Sequence, residues 1–500
     1  MTFNSGGFLI FYPIAILLYF LLPKKLSRYS LLFMSCIFYL AWNISLIWLI
    51  FFTTAVSFIS SHIIERTQKN GVKKLCITFT LLACLGVLFF FKYYNFLAET
   101  LGFVINAFGG GTYDFTLNLV LPVGISFYTF QTLSYVIDVY RGEEKAEKNF
   151  ATFALYVTFF PQLVAGPIER PGNLLPQLRE KNKLTSENAR IGLSKMAVGF
   201  FKKIVVADIL AEFVNAVYND AAGATGPALV LATVFFGFQI YCDFSGYTDI
   251  AIGCARVMGI RLMKNFNRPY RALSIKEFWA RWHISLSTWF RDYLYFPLGG
   301  SRCSRPRHMF NLLMVFFVSG LWHGANWTFV IWGLLHAFYR IAGELTYKPR
   351  QKLYARLGLV MDSKKERGAE SANIREKRSV KQFIFDCGRK LTTFVFVCFA
   401  WVFFRANNLA DVGVLLSALG SGWGDIGASL SSMGLNLAAA VIAVLSIVIM
   451  TELDILTEKN EENGEIMHKT STVYAVWAVA AAWLLLLSVG GASTFIYFQF

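Results

Sequence analysis

The chain has 500 residues, of which 56% are hydrophobic and only 16% charged, and its mean hydropathy is +0.50. Soluble domains carry roughly a quarter charged residues, so this composition excludes an ordinary soluble enzyme or binding module. The net charge of +16 would point to nucleic acid in a soluble protein. Here the Lys and Arg residues fall in short links between apolar runs, which is the pattern of the positive-inside rule.

The first apolar run, Phe8 to Leu22, is closed by Pro23-Lys24-Lys25 and lacks the basic start and small-residue cleavage site of a secretory signal, so it reads as a retained helix. Further runs lie near 30–60 (two helices), 74–95, 116–138, 150–165, 191–217, 226–256, 310–343, 384–405, 433–451 and 472–490. A helix needs about 17–25 residues to cross a bilayer, so the expected fold is an all-α polytopic membrane protein with about eleven to thirteen membrane segments, some of them short or re-entrant. One integral membrane domain is expected over 1–500: a core near 75–345, a basic cytoplasmic link 346–383, C-terminal helices 384–490 and an extracytoplasmic tail 491–500. Link 452–470 is acidic yet counts to the inside, a conflict that the rule tolerates because acidic residues weigh little in it. The aromatic share of 17% suits rings at both membrane interfaces. There is no Cys-x-x-Cys, and Cys36, Cys84, Cys242 and Cys398 lie in apolar runs, so they read as buried free thiols.

Segment 270–300 is different. Ser274-Ile-Lys-Glu277 has the spacing of a capping box. Phe278, Trp282, Leu286, Trp289 and Tyr293 then recur at helical spacing among charged residues. That predicts an amphipathic helix ended by Pro297 and Gly299-Gly300, with His283 beside its apolar stripe. The next run, 310–343, holds two histidines. A titratable ring in an apolar segment is costly without partners, so it commonly lines a cavity or a reaction path. On one continuous helix, His323 and His336 would point in different directions about 20 Å apart, and a break at Gly320 or Gly324 would alter this. His336 then reads as a packed residue bonded to a backbone or hydroxyl group. His323 is either a satisfied core histidine or a catalytic one. His62, His308 and His468 sit in or beside polar links and read as solvated residues.

Two polar strings interrupt apolar sequence. Tyr241 to Asp249 is either a hydrogen-bonded network between helices or the wall of a substrate tunnel, with Asp243 and Tyr247 one helical turn apart. Phe160 to Pro171 is rich in Pro and Gly and reads as a re-entrant loop, tolerated where protein or a water cavity satisfies its backbone. No His-Glu-x-x-His, zinc-spaced Cys/His cluster, Gly-x-Ser-x-Gly elbow or phosphate loop is present, so neither a metal site nor a nucleophilic serine is expected.

Arg281-Trp-His-Ile-Ser-Leu-Ser-Thr-Trp-Phe-Arg-Asp-Tyr-Leu-Tyr-Phe-Pro-Leu-Gly-Gly300 and Gly320-Leu-Trp-His-Gly-Ala325, with Leu121 to Phe127, Pro161 to Arg170 and Tyr241 to Asp249, resemble the membrane-bound O-acyltransferases. The length and the helices after about residue 384 resemble the bacterial alginate O-acetyltransferase branch more than the shorter D-alanyl transferase branch. The resemblance implies a helical bundle with a central funnel, donor entering from the cytoplasm and acceptor from outside. It implies His323 as the essential histidine and His283 as its support. Asp243, Tyr247, Asp249, Trp322, Asn326, Arg281 and Gln162 become the candidate lining of a substrate tunnel. The terminal Phe495-Ile-Tyr-Phe-Gln-Phe500 is similar to a motif of this branch and implies Tyr497 as a transient acyl carrier; otherwise Tyr497 is an interface anchor.

The expected reaction is acetyl transfer from a cytoplasmic thioester, acetyl-CoA, toward an extracytoplasmic polysaccharide, with no permanently bound cofactor. The expected partners are an esterase-like relay protein and membrane lipid, not nucleic acid. A site dry enough to keep the base neutral would let it take the hydroxyl proton as the bond forms. The alternatives are D-alanyl or other acyl transfer from a carrier protein, and a transporter whose histidine relays protons. The expected location is the bacterial inner membrane.

Overall fold

The computed structural model describes residues 1–42, 44–108, 115–361 and 379–462. These residues form helices and links and no strand. They fall into two compact units: Met1–Asn265 with the chain after Ala418, and Phe266–Ser417.

The first unit begins with α1 (Gly6–Leu21), α2 (Lys24–Leu40), α3 (Ile47–Arg66), α4 (Asn70–Lys92) and α5 (Tyr94–Ala107). Ser5 caps α1 by accepting a hydrogen bond from the Phe8 amide, and Pro23 separates α1 from α2, as the sequence suggests. After α6 (Ile125–Arg141) and the short α7 (Phe150–Thr158), residues 159–170 leave the helical path, consistent with the loop expected there. The chain re-forms as α8 (Pro171–Arg179) and α9 (Ser186–Phe200). A π-helical stretch, Phe201–Ala207, links α9 to α10 (Asp208–Tyr218), and α11 (Gly226–Val257) is the longest helix of the unit.

α9 and α11 meet backbone to backbone. Gly192 faces Gly253, and Gly199 faces Gly246, one heptad further along each helix in opposite directions. A Cβ on Gly199 would stand 2.6 Å from the Gly246 carbonyl oxygen, so no side chain fits in this seam. Small residues at such positions let helices approach where lipid gives no hydrophobic drive for association.

The second unit starts with α12 (Ile275–Trp279) and α13 (Ile284–Phe290), continued by a π-helical turn at Arg291–Tyr295. Ser274 caps α12 by accepting from the Glu277 amide, and the Glu277 carboxylate accepts from the Leu273 amide. The single amphipathic helix expected over this segment is broken. His283 has φ 45° and ψ 53°, a left-handed conformation that a right-handed helix cannot pass through.

α14 (Arg305–His323) and α15 (Trp327–Leu345) follow, then α16 (Tyr347–Arg356), α17 (Val380–Arg405) and α18 (Leu409–Ala418). The run 310–343, expected as one segment, is therefore a hairpin turning at 324–326. Three glycines shape it. A Cβ on Gly320 would collide with the Phe329 carbonyl, one on Gly333 with the Phe316 carbonyl, and one on Gly324 with the Phe329 ring. Asn326 starts α15 as its cap, its side-chain oxygen accepting from the Thr328 amide at 3.0 Å. α19 (Ile426–Ser431) and α20 (Leu437–Glu462) belong to the first unit.

Five described helices are long and apolar enough to cross a membrane: Ile47–Arg66, Asn70–Lys92, Gly226–Val257, Val380–Arg405 and Leu437–Leu456. The expected helix at 472–490 lies outside the described residues.

The glycine seam makes a direct prediction. Gly199→Ala should lower stability in detergent by about 1–3 kcal/mol through overpacking. Gly86→Ala in α4, where nothing lies within 4 Å of the added carbon, should be neutral or stabilising, by up to ~1 kcal/mol. Thermal unfolding of the two variants measures the difference; equal melting temperatures would contradict the close approach.

Candidate active site

The second unit brings two of the sequence-predicted histidines together. His323 is the last residue of α14 and is 3% exposed; His283 begins α13 and is 0% exposed. Their ring centroids are 6.4 Å apart. That is wider than a direct ring-to-ring hydrogen bond.

Aromatic rings surround the pair. Trp322 stands 5.0 Å from His323 and 5.7 Å from His283, both edge to face. Trp332 and Phe404 meet the His323 ring at 4.9 and 5.3 Å. Trp401 stacks on Trp332 at 5.8 Å and contacts Trp282 at 5.2 Å. Perpendicular ring pairs of this kind are each worth about 0.5–1.5 kcal/mol beyond the area they bury. They hold both imidazoles in place without supplying a charge.

The backbone at His283 adds a second constraint. Left-handed geometry in a residue other than Gly costs of order 1–3 kcal/mol and persists where the surroundings enforce it, often at functional sites. Here α13 starts at His283, whose carbonyl accepts from the Ser287 amide at 2.9 Å, and the Asn267 amide donates to the Arg281 carbonyl at 2.9 Å. The ring is thereby turned inward at a chain corner.

His336 corrects the sequence reading. The hairpin, not a continuous helix, sets its distance from His323, and both imidazoles lie against Trp332, at 4.9 and 5.1 Å. His336 is 0% exposed, and its Nδ1 accepts from Trp279 Nε1 at 3.3 Å rather than bonding a backbone or hydroxyl group. Phe278 stacks on it at 6.2 Å. The signal for this contact was the spacing of Trp332 and His336, one turn apart on α15.

The other candidate residues have identifiable tasks. Asn326 caps α15, and its Nδ2 donates to the Asn407 carbonyl at 3.0 Å. Arg281 pairs with Glu277 at 2.8 Å and donates to the Asn267 carbonyl at 3.1 Å. Asp243, Tyr247, Asp249 and Gln162 belong to the first unit. The Gln162 amide donates to the Tyr156 carbonyl at 2.9 Å, and the Tyr247 ring stacks on Phe3 at 4.4 Å. Asp243 binds Lys203 at 2.6 Å, and Lys203 also binds Asp208 at 2.9 Å. Asp249 binds Lys202 at 2.8 Å, and Lys202 binds Asp454 at 2.6 Å. Tyr241 donates to Asp454 at 2.5 Å.

The network between helices read for Tyr241 to Asp249 is therefore present; its lysine partners and Asp454 were not foreseen, and Lys202 gives Asp454 of the acidic link a cation partner inside the protein. Lys202 and Lys203 lie in the π-helical stretch, whose wider turn brings consecutive side chains nearer the same face. Tyr497 lies outside the described residues. Among the described residues, no cluster of three or more His, Cys, Asp or Glu could hold a metal.

The structure thus places two buried imidazoles side by side in a helical chain with apolar spans. A family model for the membrane-bound O-acyltransferases matches residues 146–356, which include His283 and His323. A probable alginate O-acetylase, AlgI, of Azotobacter vinelandii is 35% identical over the whole of both chains. A peptidoglycan O-acetyltransferase of Helicobacter pylori is 33% identical over 84% of this chain and 80% of its own. A teichoic acid D-alanyltransferase of Bacillus subtilis is 30% identical, over 44% of this chain and 58% of its own. The chain belongs to the membrane-bound O-acyltransferase family and is a multi-pass membrane O-acyltransferase. This membership replaces the transporter alternative.

The corner at residue 283 has a measurable consequence. His283→Asn should lose only the packing of the buried ring, because Asn tolerates the left-handed region. His283→Val should be less stable by about 1–3 kcal/mol. Thermal unfolding of the two variants decides; equal loss in both would argue against the strained corner.

Proposed function

We propose that the protein transfers an acetyl group from a cytoplasmic thioester, acetyl-CoA, for O-acetylation of an extracytoplasmic polysaccharide, from the bacterial inner membrane. The observation that carries this reading is the buried His283–His323 pair, 6.4 Å apart, in a chain whose full-length relatives include a probable alginate O-acetylase.

A thioester is already activated, so the slow element is the weak nucleophilicity of an un-ionised hydroxyl. His323 takes the hydroxyl proton as the oxygen attacks the acetyl carbonyl carbon, then returns it to the departing thiolate. The new C–O bond replaces the C–S bond, and the products are an ester and a free thiol. His283 steadies the carbonyl oxygen or the base. General-base assistance gives about 10²–10⁴-fold, and alignment of the reactants supplies more.

Tyr497 is proposed as a transient acetyl carrier that passes the group outward to an esterase-like partner protein, which completes transfer to the glycan. The D-alanyl reading is less favoured. Relatives named for that activity align with under half of the chain, whereas relatives named as O-acetylases align along most or all of it.

In detergent, the purified protein should transfer or hydrolyse acetyl from acetyl-CoA, and His323→Ala should lower the rate at least ~10²-fold without loss of folded protein. Thiol release measures this; an unimpaired His323→Ala enzyme would remove the proposed base. Tyr497→Phe should keep donor binding and folding yet stop delivery to the acceptor. Full delivery by that variant would leave Tyr497 as an interface anchor.

A further inference from the structure

The sequence places His308 in a polar link as a solvated residue. The structure does not leave it there. Its side chain is 15% exposed and engaged on both sides. Nδ1 lies 3.0 Å from the Tyr295 hydroxyl, and Nε2 lies 2.7 Å from Glu344 Oε2. The other oxygen of Glu344 accepts from Arg340 at 2.7 Å. With a neutral ring, the carboxylate fixes the hydrogen on Nε2 and leaves Nδ1 to accept from the tyrosine.

These four residues come from the three elements that build the histidine pair. Tyr295 ends the π-helical turn that continues α13, which follows directly on His283. His308 lies in the first turn of α14, which ends at His323. Arg340 and Glu344 lie in the last turns of α15. The hairpin is pinned at its closed end by Gly320, Gly324 and Gly333. The His308–Glu344 bond joins its open end, about 22 Å away along α14. Buried Asn311 ties α14 to the link that follows the π-helical turn, its Nδ2 donating to the Gly300 carbonyl at 3.1 Å.

We propose that Tyr295, His308, Glu344 and Arg340 form a hydrogen-bonded clamp that sets the placement of His283 against His323, so that His308 is a positioning residue for acyl transfer. The clamp ties the chain segment that carries one imidazole to the hairpin that carries the other, at the end remote from the chemistry. A small change of tilt there moves the rings at the other end. A misplacement of about 1 Å at reacting groups can lower a rate by ~10²-fold. Because the clamp touches no reactant, its loss lowers kcat and leaves donor binding nearly unchanged.

The proposal rests on the acyl-transfer reading, so its test has one readout tied to activity and one that is not. His308→Ala and Tyr295→Phe should each lower kcat by roughly 10-fold while KM for acetyl-CoA stays within about two-fold. His308→Gln, which keeps a donor toward Glu344, should recover part of the loss. The double variant should be no worse than either single one, because both break one unit. Separately, peptide mass spectrometry after brief diethyl pyrocarbonate treatment should show faster modification of His283 and His323 in His308→Ala than in the unaltered protein.

Unaltered kcat and unaltered ring modification in Tyr295→Phe, which loses only a hydroxyl, would overturn the clamp even if His308→Ala did not fold. Absence of any acyl transfer by the unaltered protein would count against the functional reading alone. The modification rates would still decide on the clamp.

Discussion

Everything at the candidate site depends on two helices being able to touch without side chains between them. Gly320 and Gly333 let α14 and α15 meet main chain to main chain, and Gly324 turns the chain under the Phe329 ring. Only then does His323 end one helix while Trp332 and His336 project from the other onto the same aromatic cluster. Any larger residue at those positions would separate the helices and open the ring cage. The imidazole is then surrounded by protein, where its polar atoms can be met by design, rather than by hydrocarbon, where they cannot.

The first unit solves a related problem with charge. The Gly192–Gly253 and Gly199–Gly246 contacts bring α9 against α11, and the π-helical stretch that follows directs Lys202 and Lys203 toward Asp249, Asp454, Asp243 and Asp208. Buried cations with no partner are prohibitively costly, and breaking such a pair typically costs about 3–5 kcal/mol. The network therefore fixes the register of α11 and holds α20 to the same unit. Asp454, in the stretch expected to begin the 452–470 link but helical here to Glu462, serves internal pairing.

Much of the helical order was legible. Pro23 and Ser274 mark helix boundaries by chemistry visible in a few consecutive residues. The apolar runs at 226–256 and 384–405 became α11 and α17 with small shifts at their ends. What could not be read depends on conformation or on distant partners. A left-handed histidine leaves no trace in a helical pattern of Phe278, Trp282, Leu286 and Trp289, so the break at His283 was hidden. Glycine at 320 and 324 is compatible with a helix or a turn, so the sequence left open whether His323 and His336 share one helix, and the structure breaks the run at Gly324. Lys202 and Asp454 are far apart in the chain, as are His308 and Glu344, and no local spacing announces such pairs. The site histidines themselves were identifiable because rings of that kind are rare in apolar sequence and because the flanking motifs resemble a known family.

The central claim is that acyl transfer takes place at the buried pair, with His323 as the proposed base and His283 beside it. A cryo-electron microscopy structure of the protein with a non-hydrolysable acetyl-CoA analogue, its thioester sulfur replaced by methylene, tests this most directly. The account predicts the analogue's carbonyl oxygen or carbon within hydrogen-bonding or attack distance of the two imidazoles, at about 3–3.5 Å. An analogue bound with its carbonyl remote from both rings, and with the Trp322, Trp332 and Phe404 cage still closed around His323, would contradict it.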